Sequence, residues 1–174
     1  PDEVLKDLAK ASGSGSIGEQ VHFDLNRELE ETFIALVSVE DLRGNKELKT
    51  ENTSWLNFRT AFYQLQRGAW NLPILDMGNI LNGERIEDTQ KALEHVLAET
   101  IKKGGIPVIL GGSHDFTFSQ YKAYDHLEQA VNLAVVDART DLGTPEEELN
   151  ANSFLSKILF CLLYTSDAAD ERSS

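Results

Sequence analysis

Short apolar runs alternate with amphipathic segments along this chain of 174 residues, and the alternation restricts its possible folds more than any other feature. Each run is continuous, which is typical of a strand that is covered on both faces. The segments between the runs carry apolar residues at helical spacing. Strands are predicted at 33–39, 72–78, 106–110 and 133–136, and helices at 2–10, 54–66, 86–103 and 115–128. Such alternation predicts an α/β fold with a doubly wound, mostly parallel sheet.

The acidic composition limits the kinds of partner. The chain has 29 Asp and Glu residues against 16 Lys and Arg, which gives a net charge of −13. Nucleic acids and anionic membranes bind basic patches, so we predict neither as a partner. No apolar run approaches the roughly 20 residues of a membrane span, and no secretory leader opens the sequence. Cys161 is the only cysteine, so the composition predicts a protein of the reducing cytoplasm without disulfides.

Both ends of the sequence are unusual. The chain begins at Pro1 and its only methionine is Met77, so we expect that the natural start lies upstream. Residues 161–174 resemble the translation of a sequencing adapter, and we exclude them from fold reasoning. The alternative is a natural polar tail. Residues 1–160 are then predicted to form the amino-terminal part of a single α/β domain.

The segment Gly111-Gly112-Ser113-His114-Asp115 follows the third predicted strand and has two chemical interpretations. Its glycines allow a tight turn, and His114 would lie at the carboxyl edge of the sheet, where a neutral imidazole can bind a metal. Alternatively, the free N–H groups that open the next helix could bind phosphate, although the spacing fits no nucleotide motif. The structural alternative is a plain turn in which His114 caps the helix.

The segment Asp137-Ala138-Arg139-Thr140-Asp141 follows the fourth predicted strand. In an extended chain the side chains at 137, 139 and 141 would point the same way. Asp137 and Asp141 together would suit a hard cation such as manganese or magnesium. The structural alternative is a salt-bridge cluster in which Arg139 pairs with both aspartates.

These two segments, together with Leu75-Asp76-Met77-Gly78, resemble the ureohydrolase family, which includes arginase, agmatinase and formimidoylglutamase. The resemblance covers about residues 17–159, the amino-terminal half of such a protein. The helix at 121–129 is similar to that of arginase-family proteins from the Bacteroidota. The family has a three-layer α/β/α fold, so the resemblance implies a truncated, arginase-like version of that architecture.

The resemblance also implies a chemistry. Family members use two manganese ions to activate water for the hydrolysis of a C–N bond in a linear amidine, such as formimidoylglutamate, agmatine or arginine. His114 matches a metal-ligating histidine of the family, and Asp137 and Asp141 match two aspartates that are metal ligands and catalytic residues. Further ligands and the substrate loops would lie downstream. The resemblance implies no other cofactor and a homo-oligomer when the protein is full length.

Arg139 departs from the family pattern because it stands where the motif has a histidine. A guanidinium has no lone pair for a metal, and its charge would repel a nearby divalent cation by several kcal/mol at an effective dielectric constant of about 20. We therefore expect loss of the second manganese site. Two hypotheses stay open: a metal-dependent amidine hydrolase, or a catalytically silent relative whose metal site is replaced by Arg139 ion pairs. The 174-residue chain itself is predicted to be inactive.

Overall fold

The computed structural model describes residues 3–26, 32–47, 55–69, 71–144 and 146–161. Its centre is a four-stranded sheet in the order β1-β3-β2-β4, and every pair of neighbouring strands is parallel. The elements in chain order are α1 (Glu3–Ala11), β1 (Val21–His22), β2 (Phe33–Val39), α2 (Leu56–Gln64), β3 (Ile74–Ile80), α3 (Ile86–Lys102), β4 (Gly105–Gly111) and α4 (Phe116–Asp125). The predicted α/β class and parallel sheet are confirmed.

Helices cover both faces of the sheet, as expected for a doubly wound fold. On one face, Val37 and Val39 of β2 pack with Leu93 and Leu97 of α3 and with residues of α4. On the other face, Ile34 of β2 packs in a cluster that also contains residues of α1, α2 and β3. Alternate side chains of β2 therefore pack into two different cores, one on each face of the sheet, which explains why its sequence is almost entirely apolar.

Helix α3 begins and ends close to the predicted residues. Asp88 accepts a hydrogen bond from the backbone N–H of Arg85 at 2.9 Å, which satisfies one free donor of the first turn. Leu93 and Leu97 lie one turn apart and are fully buried. Burial of two such side chains contributes about 2 kcal/mol each to the free energy of folding. This helix runs back across the sheet and brings its first turn beneath the loops at the sheet's carboxyl edge.

A buried ion pair fixes α2 on the sheet. The guanidinium of Arg59 donates to both carboxylate oxygens of Asp76 at 2.7 and 3.0 Å, and both side chains are at most 1% exposed. The hydroxyl of Tyr63 donates to the same carboxylate at 2.6 Å. Burial and the neighbouring Asp76 charge raise the pKa of Tyr63, which keeps its hydroxyl protonated as a donor. Asp76 is part of the segment that resembles the ureohydrolases, and here its role is structural.

The predicted strand at 133–136 is wrong, because residues 130–137 form no strand in the structure and Val136 is fully exposed. One free edge at which such a strand could pair is that of β4, which bonds only to β2 among the described strands. Ile106 and Val108 of β4 are themselves 46% and 38% exposed. The face of β4 that carries these side chains is therefore uncovered, and apolar side chains that a further strand placed on the same face would also be exposed to solvent.

Among the described residues, three elements were not predicted: one turn of 3-10 helix at Gly18–Gln20, the short strand β1 and a helical stretch at 154–161. Cys161 continues that stretch, whereas the rest of the supposed tail, 162–174, lies outside the described residues. Within the described part of the chain, no helix has both the length and the apolarity that crossing a membrane requires.

Candidate metal centre

A glycine turn at the carboxyl end of β4 carries His114. Gly111 and Gly112 have φ angles of +72° and +74°, a region that side chains with a Cβ rarely adopt. Trp55 lies directly over Gly111, where a Cβ would come within 1.9 Å of the indole ring. The indole N–H donates to the carbonyl of Val39 at 3.1 Å, which ties the turn to the end of β2. The chain therefore leaves the sheet through a closely packed turn that holds His114 at its edge.

His114 meets Asp137 and Asp141 in the structure. Its Nδ1 atom lies 3.0 Å from Oδ2 of Asp137 and 3.1 Å from Oδ2 of Asp141. One ligand atom from each of the three residues lies within 4.8 Å of the others. An imidazole nitrogen and two carboxylates at such separations form a donor set that suits a divalent cation. The residues present thus fit the manganese that the family resemblance implies.

The two aspartates have different surroundings. The Asp137 side chain is 24% exposed and that of Asp141 is 6% exposed. The backbone N–H of Arg139 donates to Asp137 at 2.9 Å and, with the nearby His114, holds the pKa of Asp137 below its usual range. Asp141 has a φ of +44°, so the backbone turns sharply at this residue. This turn, and not strand alternation, brings the second carboxylate back to His114.

Arg139 does not join the cluster with its side chain. Its guanidinium pairs with Glu47, with Nη1 3.0 Å from Oε2, and both side chains are about 60% exposed. The hypothesis that this guanidinium pairs with Asp137 and Asp141 is wrong for this structure. The reason is the backbone: residues 137–141 are not extended, so side chains two positions apart do not share a direction.

Phe154 is a residue of the site that the sequence analysis missed. Its ring is fully buried, and its centroid lies 4.3 Å from that of the His114 imidazole at an angle of 38°. Phe154 also packs with Tyr121 and Ile158, which places it in a core under the site. A helical spacing of Phe154 and Ile158 is present in the sequence and could have signalled this buried helix.

Two buried carboxylates lie beneath the His114 turn. Burial raises the pKa of Asp115, although Ser113 and Gln90 donate hydrogen bonds to it. Burial by itself would also raise the pKa of Asp41, but hydrogen bonds from Arg43 and Thr89 outweigh that effect and lower it. Neither carboxylate is among the three residues of the cluster, so the structure places them in a supporting layer.

The chain is similar to known proteins in sequence and in fold. The model of the arginase family matches residues 50–163. Formimidoylglutamase from Hahella chejuensis is 30% identical over 97 residues, which are 51% of this chain and 30% of that protein. Formimidoylglutamase from Bacillus subtilis superposes with a TM-score of 0.69 at 15% identity, over 83% of this chain and 48% of that one. The formiminoglutamase of Trypanosoma cruzi, solved with Mn²⁺, gives 0.64 at 16% identity, over 79% and 50%.

The chain thus spans about half the length of these solved structures and matches less than a third of the curated relative. At such low sequence identities the superpositions show only a shared fold. The assignment to a family comes from the family model, because it matches well over half of the residues of the chain. Its match includes the turn that carries His114 and the segment that carries both aspartates. On these grounds the chain belongs to the arginase family.

Proposed function

We propose that this chain binds one manganese ion with His114, Asp137 and Asp141, and that it is part of a hydrolase of linear amidines. The observation that carries the proposal is the convergence of three ligand atoms within 4.8 Å. The manganese in the Trypanosoma cruzi formiminoglutamase structure supports the choice of metal. Formimidoylglutamate, agmatine and arginine are the candidate substrates, since relatives of the chain act on amidine or guanidino groups.

Each of the three residues has a defined task in this proposal. Asp137 is held in its ionised form by the backbone N–H of Arg139. Asp141 supplies a second carboxylate from a buried position, and the Phe154 ring limits rotation of the His114 imidazole. Bound there, the cation would supply Lewis-acid polarisation of water and of the amidine. A cavity of about 280 Å³ lined by Gly112, His114 and neighbouring residues lies against the turn, which leaves room beside the site for a small molecule.

Arg139 favours a single metal ion. The family motif has a histidine at this position, and a guanidinium cannot replace it as a ligand. Because the guanidinium pairs with Glu47, it leaves the carboxylates of Asp137 and Asp141 available to one cation. The same substitution keeps a second candidate function open, a catalytically silent relative that binds metal or a partner without turnover.

Titration calorimetry with Mn²⁺ tests the proposal on the 174-residue chain. We expect one ion per chain, and loss of binding in Asp141→Asn. Asp24→Asn, a matched change at an exposed aspartate, should bind as the unmodified chain does. No binding by the unmodified chain would refute the metal site, and two ions per chain would refute the role given to Arg139.

A second assay distinguishes an active hydrolase from a catalytically silent relative. Release of urea from arginine or agmatine, or of formamide from formimidoylglutamate, is measured with manganese present. We expect no turnover by the 174-residue chain and turnover by a longer natural protein with the downstream ligands. Failure of that longer protein on all three substrates, with manganese bound, would favour the silent relative. A homo-oligomer and a cytoplasmic location remain part of the proposal.

A further inference from the structure

Two adjacent residues of α3 each bind a buried carboxylate from a different loop. Thr89 donates from Oγ1 to Oδ2 of Asp41 at 2.9 Å, in the loop after β2. Gln90 donates from Nε2 to Oδ2 of Asp115 at 2.6 Å, in the turn after β4. Both carboxylates are fully buried. The first turn of α3 therefore contacts both loops at the carboxyl edge of the sheet from below.

Asp115 transmits this contact to the residues around His114. Its other oxygen, Oδ1, accepts a hydrogen bond from Oγ of Ser113 at 2.5 Å. The backbone N–H of Ser113 donates to the carbonyl of Asp41 at 3.1 Å. His114 thus lies between two residues that are both held by hydrogen bonds. Gly111 and Gly112, which precede this segment, have no side chains that could fix its direction. The hydrogen bonds of Ser113 and Asp115 therefore determine the direction in which the turn presents the His114 imidazole.

Gly44 lies close against the carboxylate of Asp115. A Cβ built on Gly44 would lie 1.9 Å from Oδ1 of Asp115 and 2.6 Å from Oγ of Ser113. The loop after β2 is therefore in direct contact with the hydrogen-bonded pair. Loss of the amide donor at position 90 would leave a buried oxygen without its partner, which costs more than the bond itself contributes. The turn would have to shift to recover that hydrogen bond.

We infer that Gln90 is a positioning residue of the metal site: through Asp115 and Ser113 it directs Nδ1 of His114 at Asp137 and Asp141. The inference rests on the proposed function, because the geometry that Gln90 maintains is that of the metal site. Partners that orient a metal ligand without contacting the metal commonly change metal affinity by about 10- to 100-fold when they are removed.

The first test is the affinity for Mn²⁺ of three variants of the full chain, measured by calorimetry. Gln90→Met keeps the length of the side chain but removes the donor, and we expect affinity to fall by about 10- to 100-fold. Gln90→Lys restores a donor but also adds a positive charge near the site, so we expect only part of the affinity to return. Gln64→Met makes the same chemical change at an exposed position of α2 and should have no effect. An unchanged affinity in Gln90→Met would overturn the inference.

The second test needs no metal. The His114 and Phe154 rings are in contact, so nuclear Overhauser effects between their ring protons report the orientation of the imidazole. These signals should weaken in Gln90→Met and persist in Gln90→Lys and Gln64→Met. If they persist in Gln90→Met, Gln90 does not position the ring. If the unmodified chain binds no manganese yet these signals change as expected, the proposed function fails and the positioning role stands.

Thermal melts of all variants accompany both tests. A purely structural role for Gln90 would lower the melting temperature while the affinity and the ring contact stay unchanged, and this result would also refute the inference. If Gln90→Met does not fold, Gln90→Asn replaces it, since its shorter amide cannot reach Asp115 without movement of the backbone.

Discussion

Nη1 of Arg139 lies 3.0 Å from Oε2 of Glu47, on a loop 92 positions earlier in the chain. The pair joins the loop after β2 to the segment that carries both aspartates. Because both side chains are mostly exposed, the pair contributes at most about 1 kcal/mol to stability. The pair matters for position: it holds the positively charged Arg139 guanidinium at Glu47 and away from the carboxylates of the metal site.

Replacement of Arg139 by histidine should strengthen manganese binding. The change removes a positive charge near the site and introduces the histidine that the family resemblance implies at this position. We expect the dissociation constant to fall by about three- to tenfold, since the exposed charge is screened by solvent. Calorimetry on Arg139→His measures the change.

Arg139→Ala is the control for that prediction, because it removes the charge without adding a ligand. Equal gains in both variants would mean that the effect is electrostatic only. An unchanged affinity in both would show that residue 139 has no influence on the site.

Loss of the buried guanidinium of Arg59 should be strongly destabilising. Arg59→Met leaves Asp76 as an unpaired buried charge, and we expect a loss of about 3–5 kcal/mol in the free energy of unfolding. Urea denaturation measures this loss. The double variant Arg59→Met/Asp76→Asn should lose less than the sum of the two single variants, because no charge is then left unpaired. A single variant within about 1 kcal/mol of the unmodified chain would contradict the prediction.

Asp41 should make the stability sensitive to acid. Its pKa in the folded chain is lower than the ordinary value of about 3.9. At a pH below that value, the unfolded chain therefore binds the Asp41 proton more readily than the folded chain does. The stabilisation is therefore complete above about pH 4 and is lost as the pH falls toward the folded pKa.

Asp41→Asn removes this source of acid sensitivity. The variant should be less stable than the unmodified chain by about 2 kcal/mol at pH 7, and the gap should narrow as the pH falls below about 4. Urea midpoints at several pH values measure the gap, with Asp24→Asn as a surface control. If the stability difference between the two proteins widened in acid, the pKa of Asp41 could not be lower in the folded chain, and the prediction would be wrong.

Gly111 should tolerate no side chain. In Gly111→Ala the new Cβ would meet the Trp55 ring at 1.9 Å, and the φ of +72° adds strain of about 1–2 kcal/mol. Gly104→Ala is the matched control, since Gly104 has a φ of +81° with nothing within 4 Å of the added Cβ. Denaturation should show a loss at position 111 at least twice that at position 104. Equal losses would mean that the Trp55 contact relaxes without cost.

Much of the fold could be predicted because its signals are local. The apolar run of β2 and the amphipathic pattern of α3 each reflect burial between layers, and both elements lie within a residue or two of their predicted positions. The strand at 133–136 failed for a non-local reason. A strand forms when neighbouring layers cover it, and the exposed apolar side chains of the edge strand β4 show that one face of the sheet is uncovered there.

The site shows the same division. Sequence analysis selected His114, Asp137 and Asp141, and the structure brings these residues together. It could not foresee the direction of the Arg139 side chain, which depends on the backbone turn at Asp141 and on Glu47 from a distant loop. The roles of the three residues as metal ligands and catalysts remain predictions.

The adjacency of Thr89 and Gln90 has a consequence for how this chain can vary in length. Successive residues of a helix are rotated by about 100°, so one amino acid inserted or deleted between the start of α3 and residue 89 would turn both donors away from their acceptors at once. Both loops would be released together. Relatives that preserve this arrangement should therefore gain or lose residues in the loop before α3 or beyond its first turn, and not between.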